Sequence, residues 1–214
     1  MFIFVIKYDV QKIFASAAYE VLETVASRRY TITRLLETHA QANHLTAASY
    51  LQHKLLSTND LEVPIRIGRR VRPVQEVFAK KYGVPERRTR SAIRGDGKSL
   101  ISEITAQVLH LPGHTPDHSG YVVGSNVFTG DSIFNPDVCS ARCDLFPMAM
   151  LGSCTNPCGG SSDPGREPMA FVTVADQLEE NKHIKTGTTE EDFVNWRENR
   201  DSGLKEPKLL HQAL

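Results

Sequence analysis

Three polar segments of the chain combine histidine or aspartate with small neighbours, and each one follows an apolar run. The segments are Glu37–Thr46, Pro112–His118 and Thr129–Ser132. The apolar runs before them are typical of strands, and α/β proteins place their ligand sites where strands end in polar loops. Small residues between polar ones also allow a tight loop to turn several side chains toward one point. The sequence therefore predicts one metal site assembled from three distant segments.

The donor types in these segments are those of a metal site with few protein ligands. His39, His114 and Asp131 supply two imidazoles and one carboxylate, a set that holds a single non-haem iron and leaves other coordination positions open. His44 lies five residues after His39 and is either a further ligand or a donor that orients one. His118 is expected to orient its loop, whereas the remaining histidines lie outside any motif and are expected to have no role in the site.

The sequence motifs in these segments resemble those of the metallo-β-lactamase superfamily. Members of that superfamily carry T-H-x-H-x-D-H in the first loop, G-H-T-x-G-H in a later one and G-D after that. The stretches Glu37–Ala40, Leu45–Ala48, Ala141–Asp144 and Lys208–His211 are most similar to the branch of persulfide dioxygenases and glyoxalase II. The resemblance implies an α/β fold, the αββα sandwich of the superfamily. It also implies the metal roles of His39, His114 and Asp131.

The chain departs from this pattern at several positions. Gln41 stands where a second histidine is expected, Asn43 stands where the aspartate is expected, and Gly159 falls where a late metal-binding histidine would be. Neutral amides are poorer ligands than imidazole or carboxylate, so the losses favour one metal ion over two. Asp117 replaces a small residue and is expected at the surface. The front strands and the last metal-binding strand of the fold are expected to be missing.

Three functions fit these residues. The first is an iron-dependent enzyme similar to persulfide dioxygenases, which would oxidise glutathione persulfide to sulfite with dioxygen. The second is a zinc-dependent thioester hydrolase of the glyoxalase II type, and the third is a degenerate, non-catalytic paralogue. Arg142 could pair with a carboxylate of glutathione, although a stiffening ion pair with Asp144 or Asp131 is the favoured interpretation of that residue.

Composition and charge exclude several partner classes. The 214 residues are 40% hydrophobic and 23% charged with a formal net charge of zero, so neither nucleic acid nor an anionic membrane is an expected partner. The apolar run Met1–Ile6 is too short for a membrane span, and the expected compartment is the cytoplasm, or the mitochondrion if an amino-terminal segment is missing. A homodimer is compatible with the sequence.

The four cysteines offer a further metal-binding hypothesis. Cys139, Cys143, Cys154 and Cys158 form two C-x3-C pairs. A structural zinc site would favour C-x2-C spacing, so two pairs of reduced thiols are the favoured interpretation.

Periodicity predicts the elements that position these residues. Helices are predicted over Ser16–Arg28, Thr46–Leu56, Pro73–Tyr82 and Val172–His183, with a last helix after a capping box from Thr188 to Glu191. Strands are predicted over Tyr30–Leu36, Val63–Ile67 and Ile101–Leu111, followed by a hairpin around Gly124–Ser125, and Glu86–Ser99 is predicted to be a loop. The predicted division is a core over residues 1–145, an irregular replaced segment over 146–168 and a helical portion over 169–214 packing on the core.

Overall fold

The computed structural model describes residues 5–9, 12–14, 16–40, 45–60, 62–83, 92–93, 98–101, 104–137 and 171–202. These residues form a mixed α/β structure with ten strands and five helices. The helices are α1 (Ser16–Ser27), α2 (Ala48–Asn59), α3 (Val71–Tyr82), α4 (Val174–Glu180) and α5 (Glu190–Asp201). None of these described helices has the length and apolar character needed to cross a bilayer.

An antiparallel meander of four strands carries two of the three polar segments. Its strands are β7 (Lys98–Ile101), β8 (Ile104–His110), β9 (Ser119–Val123) and β10 (Asn126–Phe128), in the spatial order β10-β9-β8-β7. Because β8 and β10 both pair antiparallel with β9, they run in the same direction. The segments that follow β8 and β10 therefore emerge at the same edge of the sheet.

Two three-stranded sheets complete the described strands. The parallel sheet contains β3 (Leu35–Glu37), β5 (Ile65–Gly68) and β6 (Ala92–Ile93), in the order β3-β5-β6. The antiparallel sheet contains β1 (Val5–Asp9), β2 (Lys12–Phe14) and β4 (Leu45–Thr46), in the order β2-β1-β4. The polar segment that starts at Glu37 thus leaves the parallel sheet and re-enters strand structure beside β1.

Apolar packing of two helices fixes the parallel sheet. Ala18 of α1 and Leu51 of α2 form a buried cluster with Ala47, and Leu35 of β3 packs against it. The burial of these side chains holds β3 in place, so the exit point of the first polar segment is set by ordinary hydrophobic packing.

Two buried hydrogen bonds join the parallel sheet to the meander. The hydroxyl of Tyr121, a side chain only 1% exposed, donates to the carbonyl of Glu37 at 2.7 Å. The amide of Ser119 donates to the carbonyl of Thr38 at 2.7 Å. These bonds bring the end of β3 against the start of β9, at the edge where β8 and β10 end.

Several predicted boundaries differ from the structure. Residues 30–34 are not in a strand, because β3 begins at Leu35. The stretch Glu86–Ser99, predicted as a loop, contains β6 and the beginning of β7. The last helix has its N-cap at Thr189, not Thr188. A capping box is present instead at the start of α4, from Thr173 to Asp176, where it was not predicted.

Other predicted elements agree closely with the structure. Helix α3 ends where Gly83 takes the left-handed conformation with φ of +65°, as a glycine after the last turn indicates. The hairpin of β9 and β10 turns at Gly124, with φ of +58°. The predicted division at residues 146–168 stays a prediction, because that segment lies outside the described residues.

Replacing Tyr121 with phenylalanine tests the bond that joins the two sheets. We expect Tyr121→Phe to lower the free energy of unfolding by about 1–2 kcal/mol, since a buried carbonyl loses its donor. Urea unfolding measures the change. Tyr30→Phe is the matched control, because Tyr30 is 60% exposed and surface changes stay within about 0.5 kcal/mol. Equal stabilities for the two variants would show that the Tyr121 bond contributes nothing to joining the sheets.

Candidate metal centre

The three side chains predicted as ligands come together from three separate segments. His39 lies two residues after β3, His114 lies in the turn after β8, and Asp131 lies in a short 3-10 turn, Gly130–Ser132, after β10. Their exposed fractions are 3%, 0% and 5%. The arrangement of strand ends at one edge therefore places all three at one buried point, as the sequence predicted.

The distances between the donor atoms fit a shared ion. The Nε2 atoms of His39 and His114 each lie 3.6 Å from Oδ2 of Asp131, which is too long for a hydrogen bond. One ligand atom from each of the three residues lies within 4.8 Å of the others. Two ligands that are each about 2.0–2.2 Å from one ion lie roughly 3–3.6 Å apart at the usual coordination angles. The donor types and their spacing thus match a metal centre.

A hydrogen bond and a close backbone contact fix the orientation of His39. The hydroxyl of Thr38 lies 2.9 Å from Nδ1 of His39, so Nε2 is the ring atom directed at Asp131. Gly130 has φ of +56°, and a Cβ built on it would lie 2.5 Å from Oγ1 of Thr38. The absence of a side chain at Gly130 therefore lets the turn that carries Asp131 lie directly against the residue that orients His39.

His118 joins the second and third segments, in agreement with its predicted orienting role. Its Nε2 donates to the carbonyl of Thr129 at 2.8 Å, and its ring stacks on that of His39 with centroids 4.5 Å apart. Burial, with a smaller contribution from the nearby His114, lowers the pKa of His118 to about 3. The imidazole is therefore neutral at physiological pH and acts as a packed hydrogen-bond donor.

The prediction that Asp117 lies at the surface is wrong. The side chain is fully buried, and its Oδ2 accepts a hydrogen bond from the amide of Ala40 at 3.3 Å. Burial raises the pKa of this carboxyl group above its usual value, against smaller opposite effects of the nearby Thr115 side chain, the turn backbone and the Ala40 amide. Nothing in the sequence around Asp117 signalled this burial, because an aspartate after a proline is typical of an exposed turn.

The remaining candidates divide into those that the structure places and those outside the described residues. His53 and His110 are exposed, and His110 bonds to the carbonyl of Pro116. His183 stacks on Trp196 with centroids 3.9 Å apart. The candidates outside the described residues are His44, Arg142 and His211, the replaced ligands at Gln41, Asn43 and Gly159, and the four cysteines. Their predicted roles therefore stay predictions.

Comparisons with known proteins identify the family of the chain. No family model matches it. The chain is 33% identical over 226 residues to a probable metallo-hydrolase of Burkholderia pseudomallei, an alignment that covers 91% of this chain and 74% of the relative. It is also 32% identical over 198 residues to Glyoxylase B2 of Dictyostelium discoideum, with 82% of this chain and 66% of that protein covered. The chain belongs to the metallo-β-lactamase superfamily.

A solved structure supports the same fold. The crystal structure of ETHE1 from Myxococcus xanthus matches with a TM-score of 0.59 at 22% sequence identity, covering 92% of this chain and 80% of that one. The relatives confirm the predicted superfamily, and this match confirms its α/β fold class. The expected loss of the front strands and of the last metal-binding strand stays a prediction. The name of the Burkholderia relative, a probable metallo-hydrolase, agrees with the buried cluster of His39, His114 and Asp131.

Replacing Gly130 with alanine tests the close contact between the first and third segments. We expect Gly130→Ala to displace Thr38 and the turn of Asp131, and so to weaken metal binding by on the order of 10-fold or more. The reason is that the new Cβ would occupy the space of the Thr38 side chain. Competition with a chromophoric chelator measures the dissociation constant for Zn²⁺ or Co²⁺.

Gly124→Ala is the matched control for that substitution. Gly124 has nearly the same positive φ, +58°, but its Cβ would meet no atom within 4 Å. Both variants carry the backbone strain of alanine in the left-handed region, whereas only Gly130→Ala adds the collision. If the two variants bind the ion equally well, the contact between Gly130 and Thr38 does not set the geometry of the centre.

Proposed function

We propose that this member of the superfamily is an enzyme with a single metal ion held by His39, His114 and Asp131. The observation that carries the proposal is the convergence of two imidazoles and one carboxylate, all nearly fully buried, within 4.8 Å of one another. His44 is proposed as an additional ligand or as a donor that orients one of the three. The neutral side chains Gln41 and Asn43, where the pattern of the superfamily has ligands, support one ion over two.

The activity that we propose first is the oxidation of glutathione persulfide by dioxygen, in which one water also reacts and glutathione and sulfite are the products. Two histidines and one carboxylate are the ligand set of non-haem iron oxygenases. An Fe(II) ion bound there would supply open coordination positions and lend electron density to dioxygen, while the outer sulfur of the persulfide would supply the four electrons of the net reaction. The proposal also rests on the resemblance of the segments Glu37–Ala40 and Ala141–Asp144 to persulfide dioxygenases.

The protein residues around the centre would fix the orientation of its side chains and exclude bulk water. Thr38 fixes the ring of His39 through its contact with Nδ1, and the neutral ring of His118 covers one face of that imidazole. The complete burial of His114, Thr115 and His118 keeps bulk water away from one side of the site. Arg142 is the substrate-binding candidate that the sequence offers for a carboxylate of glutathione, beside the favoured ion pair with Asp144 or Asp131.

The second candidate function is hydrolysis of a glutathione thioester with zinc as the metal. The names of two relatives, a metallo-hydrolase and Glyoxylase B2, favour it, and two histidines with one carboxylate also occur in catalytic zinc sites. A zinc ion would lower the pKa of a bound water and so supply a nucleophile. Hydrolysis gains most from a pair of ions, and the amides at Gln41 and Asn43 therefore favour the first candidate.

Metal content and product formation together decide between these functions. We expect about one iron per chain after purification under anaerobic conditions, measured by elemental analysis, and sulfite formation from glutathione persulfide with oxygen uptake. His39→Ala, His114→Ala and Asp131→Ala should each abolish metal retention, whereas His53→Ala, at an exposed position, should not. Zinc with hydrolysis of S-lactoylglutathione would support the second candidate, and a chain without metal in every preparation would contradict both.

Restoring the two replaced ligands tests the single-ion proposal. The double variant Gln41→His/Asn43→Asp should bind a second ion, because imidazole and carboxylate are better ligands than amides. Titration with excess zinc followed by elemental analysis should show a rise from about one to about two ions per chain. An unchanged stoichiometry would mean that Gln41 and Asn43 do not limit the number of ions.

A further inference from the structure

Three consecutive residues after His114 bond to the two other segments of the centre. The carboxylate of Asp117 accepts from the amide of Ala40, next to His39. The imidazole of His118 donates to the carbonyl of Thr129, two residues before Asp131. The amide of Ser119 donates to the carbonyl of Thr38. The segment that carries His114 is thus bonded to both of the others.

Among these residues, Asp117 carries a buried carboxyl group, which packing alone does not explain. Its carboxyl group is fully buried, and burying an acid is unfavourable unless hydrogen bonds compensate. Its Oδ1 has no hydrogen-bond partner among the described residues, so the bond from Ala40 to Oδ2 is the one contact of this group between segments that the structure shows. A small residue would fill the position without that desolvation, as glycine does in the pattern G-H-T-x-G-H.

We propose that Asp117 is a positioning residue that fixes the backbone after His39 against the segment of His114 and thereby sets the affinity of the centre for its ion. The inference rests on the proposed metal roles of His39, His114 and Asp131. The peptide bond of Ala40 directly follows His39, so a shift of this backbone would move the imidazole relative to the two other donors. The same segment carries Gln41 and Asn43 in place of ligands, so fewer metal bonds are available to hold it.

The proposal predicts that the hydrogen bond accepted by Asp117, and not its negative charge, sets the metal affinity. Asp117→Asn keeps an oxygen that accepts from the Ala40 amide and removes the negative charge, whereas Asp117→Ala removes both. We expect Asp117→Ala to weaken binding of Co²⁺ or Zn²⁺ by about 10- to 100-fold, the usual effect of losing a residue that orients a ligand. Asp117→Asn should bind within roughly threefold of wild type, on the same reasoning. Competition with a chromophoric chelator gives the affinities, and the visible spectrum of the Co²⁺ form reports the coordination geometry.

Gln52→Ala is the matched control for a general loss of stability. The Gln52 amide donates to the carbonyl of Val63 at 2.7 Å, near the start of β5 and not at the edge that carries the centre. This variant also loses a hydrogen bond from a side chain to the backbone, and we expect a lower melting temperature with unchanged metal affinity. Asp117→Ser, whose side chain is too short to reach Ala40, replaces Asp117→Ala if the alanine variant does not fold.

Amide hydrogen exchange of the metal-free protein tests the bond independently of metal binding. The Ala40 amide should exchange faster in Asp117→Ala and Asp117→Ser, and as in wild type in Asp117→Asn and Gln52→Ala. Unchanged exchange at Ala40, unchanged metal affinity in Asp117→Ala, or equal losses in the asparagine and alanine variants would each overturn the proposal. A wild-type chain that binds no ion would contradict the proposed function instead, and the exchange at Ala40 would still decide the role of the Asp117 bond.

Discussion

The position of the Asp131 carboxylate between two imidazoles is the constraint on which the rest of the structure depends. One oxygen of this buried group lies 3.6 Å from Nε2 of both His39 and His114. Such spacing is too long for direct hydrogen bonds and fits donors around a shared cation. A buried carboxylate is stable only with compensating partners, so the surrounding segments must hold all three side chains in this arrangement.

The fold meets this constraint through strand direction and close backbone contact. Strands β8 and β10 run the same way on either side of β9, which delivers His114 and Asp131 to one edge. Strand β3 belongs to another sheet, and its end reaches that edge through hydrogen bonds from Tyr121 and Ser119. The missing side chain at Gly130 then allows the turn of Asp131 to touch Thr38. Each of these three side chains is therefore held by backbone geometry and not by its own packing alone.

The same scaffold is compatible with more than one chemistry. A fold does not determine an activity, because the site residues and the metal do. A relative with a hydrolase name is 33% identical in sequence, whereas two histidines and one carboxylate are also the ligand set of iron oxygenases. The amides at Gln41 and Asn43 are poorer metal donors than the residues they replace, so they disfavour a pair of ions. The choice between a one-ion oxidation and a hydrolysis therefore depends on which metal binds and on how many ions the chain holds.

The sequence by itself determined the family, the order of the three polar segments and the identity of their donors. Each donor follows its strand closely along the chain, so local pattern was sufficient for His39, His114 and Asp131. Local chemistry also determined the end of α3 at Gly83 and the hairpin turn at Gly124, because a left-handed backbone conformation favours glycine wherever it occurs. The residues at each of these two turns were therefore sufficient to predict the turn.

Only the tertiary structure decided the environment of Asp117 and the extent of β3. An aspartate beside proline is typical of a surface turn, and the buried Asp117 is compensated by the amide of Ala40, which is distant in sequence. Residues 30–34 have strand-like composition, but β3 begins at Leu35, where pairing with Ile65 starts. The choice of Thr189 over Thr188 as the N-cap depended on which hydroxyl reaches the amide three residues ahead. In each case the deciding partner is set by the three-dimensional path of the chain, which composition and periodicity do not encode.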